Sequence, residues 1–259
     1  MSQVRAILVF CLLAAITRPV LAQQESAVSD PMAARLSAEK LGDVETGTFS
    51  AGENLNFTLE PYGDKFLLRF TDSPESYLLS VERIFLGGRI LRYDTGATAL
   101  RVSVWGGMTL YTADAPNGLP TTRLSDDLPQ PRLPVSRDDL AAALADEENH
   151  LIYTLGLHLR FSAEPALLAS NNDRRGLAFD TLISTAAGIE HLVATPSGRQ
   201  AFAKKFDTVR IVESAKPYVR LSGKTLLVGF APTAGQAGRA SSREVALELG
   251  KMLQIAEAG

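Results

Sequence analysis

Cysteine is almost absent from this 259-residue sequence: its only example, Cys11, lies in an apolar stretch near the N-terminus. Residues 23–259 contain no cysteine, so that part of the chain can form no disulfide bond, no thiolate metal site and no thiol nucleophile. An exported chain of this composition would be more typical of a bacterial envelope than of the disulfide-rich modules found outside cells.

A strong charge of either sign is also lacking. The chain has 26 lysine and arginine residues against 29 aspartate and glutamate residues, for a formal net charge of −3. Like charges do not cluster into long runs. This balance argues against nucleic-acid binding and against a polybasic membrane surface.

Histidine is equally scarce. His150 and His158 fall on a stretch that alternates like a strand, where eight residues of separation would place them about 26 Å apart, too far to share a metal ion. His191 has no second histidine four residues later on its predicted helix. The sequence therefore predicts no metal site, and it contains no pattern that requires a cofactor.

Long apolar runs are limited to one, residues 6–16, which follows the positive charge of Arg5. Residues 20–22 (VLA) supply a cleavage context for a secretory signal peptide. Because a membrane-spanning helix needs about 20 apolar residues, this run is too short to serve as an anchor. We expect residues 1–22 to be removed, the mature chain to begin at Gln23 and to be periplasmic or secreted, and no transmembrane segment to remain.

The next part of the chain predicts a short N-terminal segment and then a sheet. Residues 23–45 are polar and alanine-rich, and we expect at most a short helix there. Residues 46–114 alternate apolar and polar side chains between glycine-containing turns, which predicts an antiparallel β-meander of about six or seven strands. One apolar face would be packed, as in a sandwich or an open barrel.

A proline-rich stretch follows the predicted meander. Residues 115–135 hold five of the 13 prolines, at positions 116, 120, 129, 131 and 134. Proline lacks a backbone donor and breaks helices and inner strands. We expect this stretch to be a linker or a long loop without helix or inner strand.

Residues 136–259 mix helical and strand patterns, so the predicted fold class is α+β. Helices are expected after the capping sequences at Ser136 and Ser241, and over about 173–194 and 197–206. The alternation of apolar residues over 151–161 predicts a strand. Further strands are expected at 209–212, 218–221 and 225–230, the last two forming a hairpin.

The tetrapeptide Asp94-Thr95-Gly96-Ala97 allows two interpretations. Retropepsin-like aspartic proteases carry such a sequence, and one copy per chain would require a dimer, because two aspartates must share a proton. The simpler interpretation is a hairpin turn, in which the aspartate bonds to nearby backbone and the glycine takes a positive φ. Arg92 and Tyr93 stand where the proteases have apolar residues, which favours the turn, and we predict no catalytic residue.

A candidate binding site lies at the start of the last helix. Arg239, Ser241, Ser242 and Arg243 surround the predicted N-terminus, where free N–H groups and the helix dipole attract anions. Two guanidinium groups and two hydroxyls would suit a phosphate or a carboxylate. The alternative is an ordinary serine cap with two solvated arginines.

Three groups of sequence segments carry a resemblance. They are Arg92-Tyr93-Asp94-Thr95-Gly96 with Gly106-Gly107-Met108-Thr109-Leu110-Tyr111-Thr112, then Ala187-Gly188-Ile189-Glu190 with Ser197-Gly198-Arg199, and Gly238-Arg239-Ala240-Ser241-Ser242-Arg243. Together they resemble a family of exported proteins of Gram-negative bacteria defined only as a domain of unknown function. The resemblance implies no activity, ligand or catalytic residue. It implies that the stretch at Asp94 is a turn.

The functional expectation follows from these observations. We expect an exported, non-catalytic protein that binds an envelope component or a partner protein. The alternative is a dimeric retropepsin-like protease that uses Asp94. The number of catalytic aspartates distinguishes these two hypotheses: the chain has one such aspartate, and the protease needs two.

Overall fold

A computed structural model describes residues 43–128 and 134–255. The predicted signal peptide, residues 1–22, and nearly all of the 23–45 segment lie outside these described residues. Within them, every helix is too short or too polar to cross a lipid bilayer.

The N-terminal part is a closed eight-stranded antiparallel barrel in which each strand pairs with the next and β1 pairs with β8. Its strands are β1 (Gly47–Ala51), β2 (Leu55–Tyr62), β3 (Lys65–Phe70), β4 (Ser76–Arg83), β5 (Arg89–Arg92), β6 (Thr98–Val102), β7 (Met108–Leu110) and β8 (Leu119–Ser125). Alternate side chains such as Phe57, Leu68 and Leu100 fill the interior. The expected meander is thus confirmed and is closed into a barrel.

Strand β8 lies inside the proline-rich stretch 115–135, where a linker or loop without helix or inner strand was expected; because β8 pairs on both sides, with β7 and β1, that expectation is wrong. Pro120 is the only proline within β8, and it is the second residue of the strand, where a missing N–H is tolerated. The residues after it, 121–125, pair with β1 and close the barrel.

The C-terminal part is a four-stranded sheet covered by helices. The helices are α1 (Arg137–Leu155), α2 (Pro165–Leu168), α3 (Asn172–Val193), α4 (Pro196–Lys205) and α5 (Ser242–Leu253). The strands are β9 (Arg160–Ala163), β10 (Thr208–Glu213), β11 (Tyr218–Ser222) and β12 (Thr225–Phe230), in the order β11-β12-β10-β9. Strands β9, β10 and β12 are parallel, while β11 and β12 form the expected antiparallel hairpin.

The expected strand over 151–161 is wrong, because helix α1 continues to Leu155. Leu140, Leu144 and Leu151 are buried on one helical face, and that burial outweighs the local alternation. Gly156, with φ of 63°, ends the helix by donating its N–H to the carbonyl of Ile152. Only the end of the stretch is extended, as β9.

The α+β class is confirmed, and several local predictions are confirmed with it. At the start of α1 both halves of the capping box are present, because Ser136 and Asp139 each accept from the other's backbone N–H. Helices α3 and α4 lie within two residues of their expected bounds. A 3₁₀ segment, Pro232–Gly238, leads from β12 toward α5.

Candidate functional site

Asp94 lies at the corner of the turn between β5 and β6. Tyr93 donates its N–H to the carbonyl of Ala97 at 2.9 Å, and Gly96 donates to the carbonyl of Tyr93 at 3.0 Å with φ of 84°. The Thr95 N–H donates to the Asp94 carboxylate at 3.1 Å. The turn interpretation of this stretch is confirmed.

The same carboxylate binds the start of helix α5. Ser241 donates its backbone N–H to Oδ2 of Asp94 at 2.8 Å and its hydroxyl to Oδ1 at 2.7 Å. Both carboxylate oxygens therefore hold the residue that caps the helix.

A second carboxylate from the barrel acts in parallel. Glu75, in the loop between β3 and β4, is 3% exposed and accepts the Ser242 N–H at 2.7 Å. Two negative charges therefore lie at the N-terminus of α5, where free N–H groups and the helix dipole stabilise them.

The capping box expected at Ser241 is only half formed. The Ser241 hydroxyl accepts the Glu244 N–H at 3.3 Å, as expected. The Ser241 N–H, which the Glu244 side chain was expected to bind, donates instead to Asp94. The contact with Asp94, which is distant in sequence, has replaced the expected local contact with the Glu244 side chain.

Arg239 lies behind this carboxylate pair and is 7% exposed. Its Nε donates to Oε1 of Gln236 and its Nη1 to the hydroxyl of Ser184, both at 2.6 Å, while Nη2 donates to the carbonyl of Ser76. Burial lowers the pKa of the guanidinium, and the negative charges of Glu75 and Asp94 oppose that shift. Arg239 thus joins the barrel, the 3₁₀ segment and helix α3.

Arg243 contacts a buried tyrosine, Tyr93, and Ser242 contacts a half-buried one, Tyr77. The guanidinium of Arg243 lies 4.2 Å from the centre of the Tyr93 ring, in a cation–π contact. The Ser242 hydroxyl is 3.3 Å from that of Tyr77. Burial raises the pKa of both tyrosines above its ordinary value.

The structure therefore brings Arg239, Ser241, Ser242 and Arg243 to one junction. Their N–H and guanidinium groups already contact carboxylates, carbonyls, hydroxyls and a ring of this chain. Two cavities open onto this junction: Arg239 and Ser241 line a cleft, and Arg243 lines a separate cavity of about 470 Å³ with Arg101.

The cleft that Arg239 and Ser241 line has a volume of about 310 Å³ and lies between the barrel wall and residues 236–241. Lys65, Leu78, Ser80 and Arg92 form its barrel side. Asp94, Gln236, Ala237, Arg239 and Ser241 line the rest, with Ser76, Tyr93 and Gly96. The sequence did not indicate Lys65, Ser80 or Gln236, because isolated polar residues on the outer face of a strand or in a loop look like solvated surface.

The charges in the cleft differ in how they are balanced. Arg92 donates to Glu82 at 2.6 Å and to the carbonyl of Gly96 at 3.1 Å. The ammonium group of Lys65 has no hydrogen-bond or ion-pair partner among the residues that the structure describes. Among the described residues that line the cleft, Lys65 is therefore the cation whose charge no acceptor balances.

Elsewhere, the histidines lie apart. His150 on α1 contacts Glu190 on α3 at 2.7 Å, whereas His158 lies in the loop before β9. Over residues 43–128 and 134–255 there is no cluster of three or more His, Cys, Asp or Glu side chains suited to a metal ion.

Comparison with known proteins gives one assignment. No curated protein and no solved structure matches the chain. A family model described as "Domain of unknown function (DUF4908)" matches residues 29–249, which include the whole barrel, the cleft and most of α5. The chain belongs to this family.

Proposed function

We propose that this is an exported, non-catalytic envelope protein that binds an anionic envelope component in the cleft beside Arg239. The observation that carries the proposal is the unpaired ammonium of Lys65 in a cleft that Arg92 and Arg239 also line. The ligand class is a phosphate or carboxylate group on a larger molecule.

The size and place of the cleft support a binding role. Small-molecule sites commonly occupy about 300–1,000 Å³ and often lie where two parts of a fold meet. This cleft, at about 310 Å³, lies where the barrel meets the C-terminal part. It would hold one charged group of a larger molecule.

The electrostatics favour an anion. Asp94 is the one carboxylate among the described residues that line the cleft, and the N–H and hydroxyl of Ser241 already hold it, which offsets its repulsion of a second anion. Arg239 supplies a fixed positive charge, since its nitrogens are held by the protein. Lys65 can then contact the ligand directly, and the Ser80 hydroxyl lies on the same wall.

None of the contacts that Asp94 makes in the described structure supports the protease alternative. A catalytic dyad needs two aspartates that share a proton around a water molecule. Here both oxygens of Asp94 accept hydrogen bonds from Ser241 within the same chain. Asp94 therefore serves the junction between the two parts of the fold.

Binding is tested by thermal denaturation with inorganic phosphate, citrate and phosphate-bearing envelope glycans. We expect at least one to raise the Tm of the wild type and to have little effect on Lys65→Ala. Lys204→Ala, at an exposed position on α4, is the matched control and should respond like the wild type. No shift in the wild type with any of these ligands would contradict the proposed anion site.

Export is tested separately, by intact mass of the protein recovered from periplasmic and cytosolic fractions of its host. We expect a periplasmic chain that begins at Gln23. A full-length chain confined to the cytosol would contradict export.

A further inference from the structure

Two turns of the barrel lie at the end opposite the cleft junction. In an antiparallel meander successive loops alternate between the two ends. The loops that carry Glu75 and Asp94 are therefore at one end, and those at residues 84–88 and 103–107 are at the other. These two loops are called the aromatic tips below, after Phe85 and Trp105.

The aromatic tips share their backbone geometry with the Asp94 turn. In the first, Ile84 donates to the carbonyl of Gly88 at 3.0 Å, and Gly87 has φ of 86°. In the second, Ser103 donates to the carbonyl of Gly107 at 2.8 Å, and Gly106 has φ of 86°. The Asp94 turn forms the same bonds with polar corner residues, so the backbone does not require apolar corners.

The corners of the tips nevertheless carry large aromatic side chains. Phe85 is 91% exposed and Trp105 is 79% exposed. The tips are neighbours, since a methyl group built on Gly87 would lie 3.9 Å from Cγ2 of Val104. Turn corners usually carry polar residues, so two adjacent exposed aromatics mark a contact surface.

An arginine precedes each tip, on the strand that leads into it. Arg83 and Arg101 are exposed and have no hydrogen-bond or ion-pair partner among the described residues. Arg83 pairs in register with Arg89, and directly opposed like charges destabilise a sheet. Arg89 turns back to donate to the carbonyl of Gly87 at 2.7 Å and lies 4.0 Å from Asp43, which leaves Arg83 unbalanced.

We propose that the aromatic tips insert into the surface of a lipid bilayer that carries anionic headgroups. Tryptophan and other amphipathic rings favour the headgroup region of membranes, and arginines beside them attract anionic lipid. The chain-wide charge balance hides this pattern, because Arg83 and Arg101 lie on separate strands, β4 and β6, on either side of β5. The proposal is independent of the anion cleft.

Trp105 is the sole tryptophan of the chain, so its fluorescence reports on one tip directly. The test uses residues 23–259, because the apolar leader would itself bind lipid. We expect phosphatidylglycerol vesicles to shift Trp105 emission to shorter wavelength and phosphatidylcholine vesicles to have much less effect. Raised salt should weaken the response, because it screens the arginines.

Variants then assign the contact, with vesicle co-sedimentation as the readout. Phe85→Ser with Trp105→Ser should abolish co-sedimentation, and Arg83→Glu with Arg101→Glu should reduce it several-fold. Tyr153→Ser is the matched control, since Tyr153 is 91% exposed on α1, which is not part of the barrel. Circular dichroism of each variant verifies the fold.

Three outcomes would overturn the proposal. The first is no co-sedimentation of wild type with phosphatidylglycerol vesicles. The second is binding that survives the loss of both aromatic side chains. The third is a Trp105 emission shift that depends on protein concentration without lipid, which would assign the tips to a contact between two copies of this chain.

Discussion

Asp94 and Ser241 are 147 positions apart in sequence, and two hydrogen bonds join them. One partner is a turn residue of the barrel and the other is the cap of the last helix. The pair therefore converts a local turn into the attachment point of the C-terminal part. Ser242 and Glu75 repeat the arrangement one residue further on.

Removing either side of the Asp94–Ser241 pair should destabilise the protein. Asp94→Ala leaves the Ser241 N–H without its acceptor, and we expect a loss of about 1–3 kcal/mol, the usual range for an unsatisfied buried group. Ser241→Ala also loses the helix cap, at about 1 kcal/mol. Urea denaturation of both single variants and the double variant measures the coupling.

If the two residues act through one another, the double variant should cost less than the sum of the singles. Asp64→Ala, in the turn between β2 and β3, is the control and should change the midpoint little. Additive effects would show that the two residues stabilise the fold independently.

Glycine 188 should be intolerant of any side chain. A methyl group built there would lie 2.7 Å from the carbonyl oxygen of Ser242 and 2.8 Å from Cβ of Val245. We expect Gly188→Ala to cost about 1–3 kcal/mol, as overpacking does. Gly176→Ala, on the same helix with nothing within 4 Å, should instead be neutral or stabilising, since alanine favours helix by up to about 1 kcal/mol. Equal effects in thermal denaturation would contradict the close crossing of α3 and α5.

Stability should fall in alkali through Tyr77. Burial and the neighbouring charge of Glu75 raise the pKa of Tyr77 above its ordinary value of 10.0. The folded state therefore holds this proton more tightly than the unfolded state does. The resulting stabilisation is complete below pH 10 and is lost as the pH rises toward the folded-state pKa.

Tyr77→Phe should accordingly show a shallower decline of the unfolding free energy between pH 10 and 11.5 than the wild type. Tyr93, whose pKa is also raised, leaves part of the decline in place. Tyr153→Phe, at an exposed position, is the control and should follow the wild-type curve. Identical slopes for all three proteins would contradict the assignment to Tyr77.

Peptide cleavage should be absent. The contacts of Asp94 serve the junction, so we expect no pepstatin-sensitive hydrolysis between pH 4 and 6 from the wild type or from Asp94→Asn. Cleavage by the wild type that pepstatin inhibits and that Asp94→Asn lacks would establish the protease alternative instead.

Features that depend on neighbouring residues were predictable from the sequence. The turn at residue 96 was predictable because glycine readily adopts the left-handed backbone that the turn requires. The cap at Ser136 was predictable because Asp139 follows three residues later. The β11–β12 hairpin follows from its two apolar runs and the glycine between them. In each case the local backbone geometry accepts few residue types, so the sequence itself indicates the structure.

Features that depend on distant partners were not predictable. The alternation after Leu151 indicated a strand, but burial against the C-terminal core kept these residues helical as far as Gly156. Closure by β8 depends on β1, more than 65 residues earlier in the chain. At the site, the residues around Arg239 were recognisable from the sequence as a helix start. The carboxylates that bind this helix start, Asp94 and Glu75, and the unpaired Lys65 come from the barrel, and their sequence positions gave no sign of it.

The position of the last helix has a consequence for how the chain is made. All eight barrel strands precede residue 126, so the barrel can close before α5 has been synthesised. Until residues 241–242 arrive, the carboxylates of Asp94 and Glu75 lack the donors that they bind in the finished fold. A chain truncated before residue 241 would therefore retain the barrel sequence but lose the donors that hold these two carboxylates.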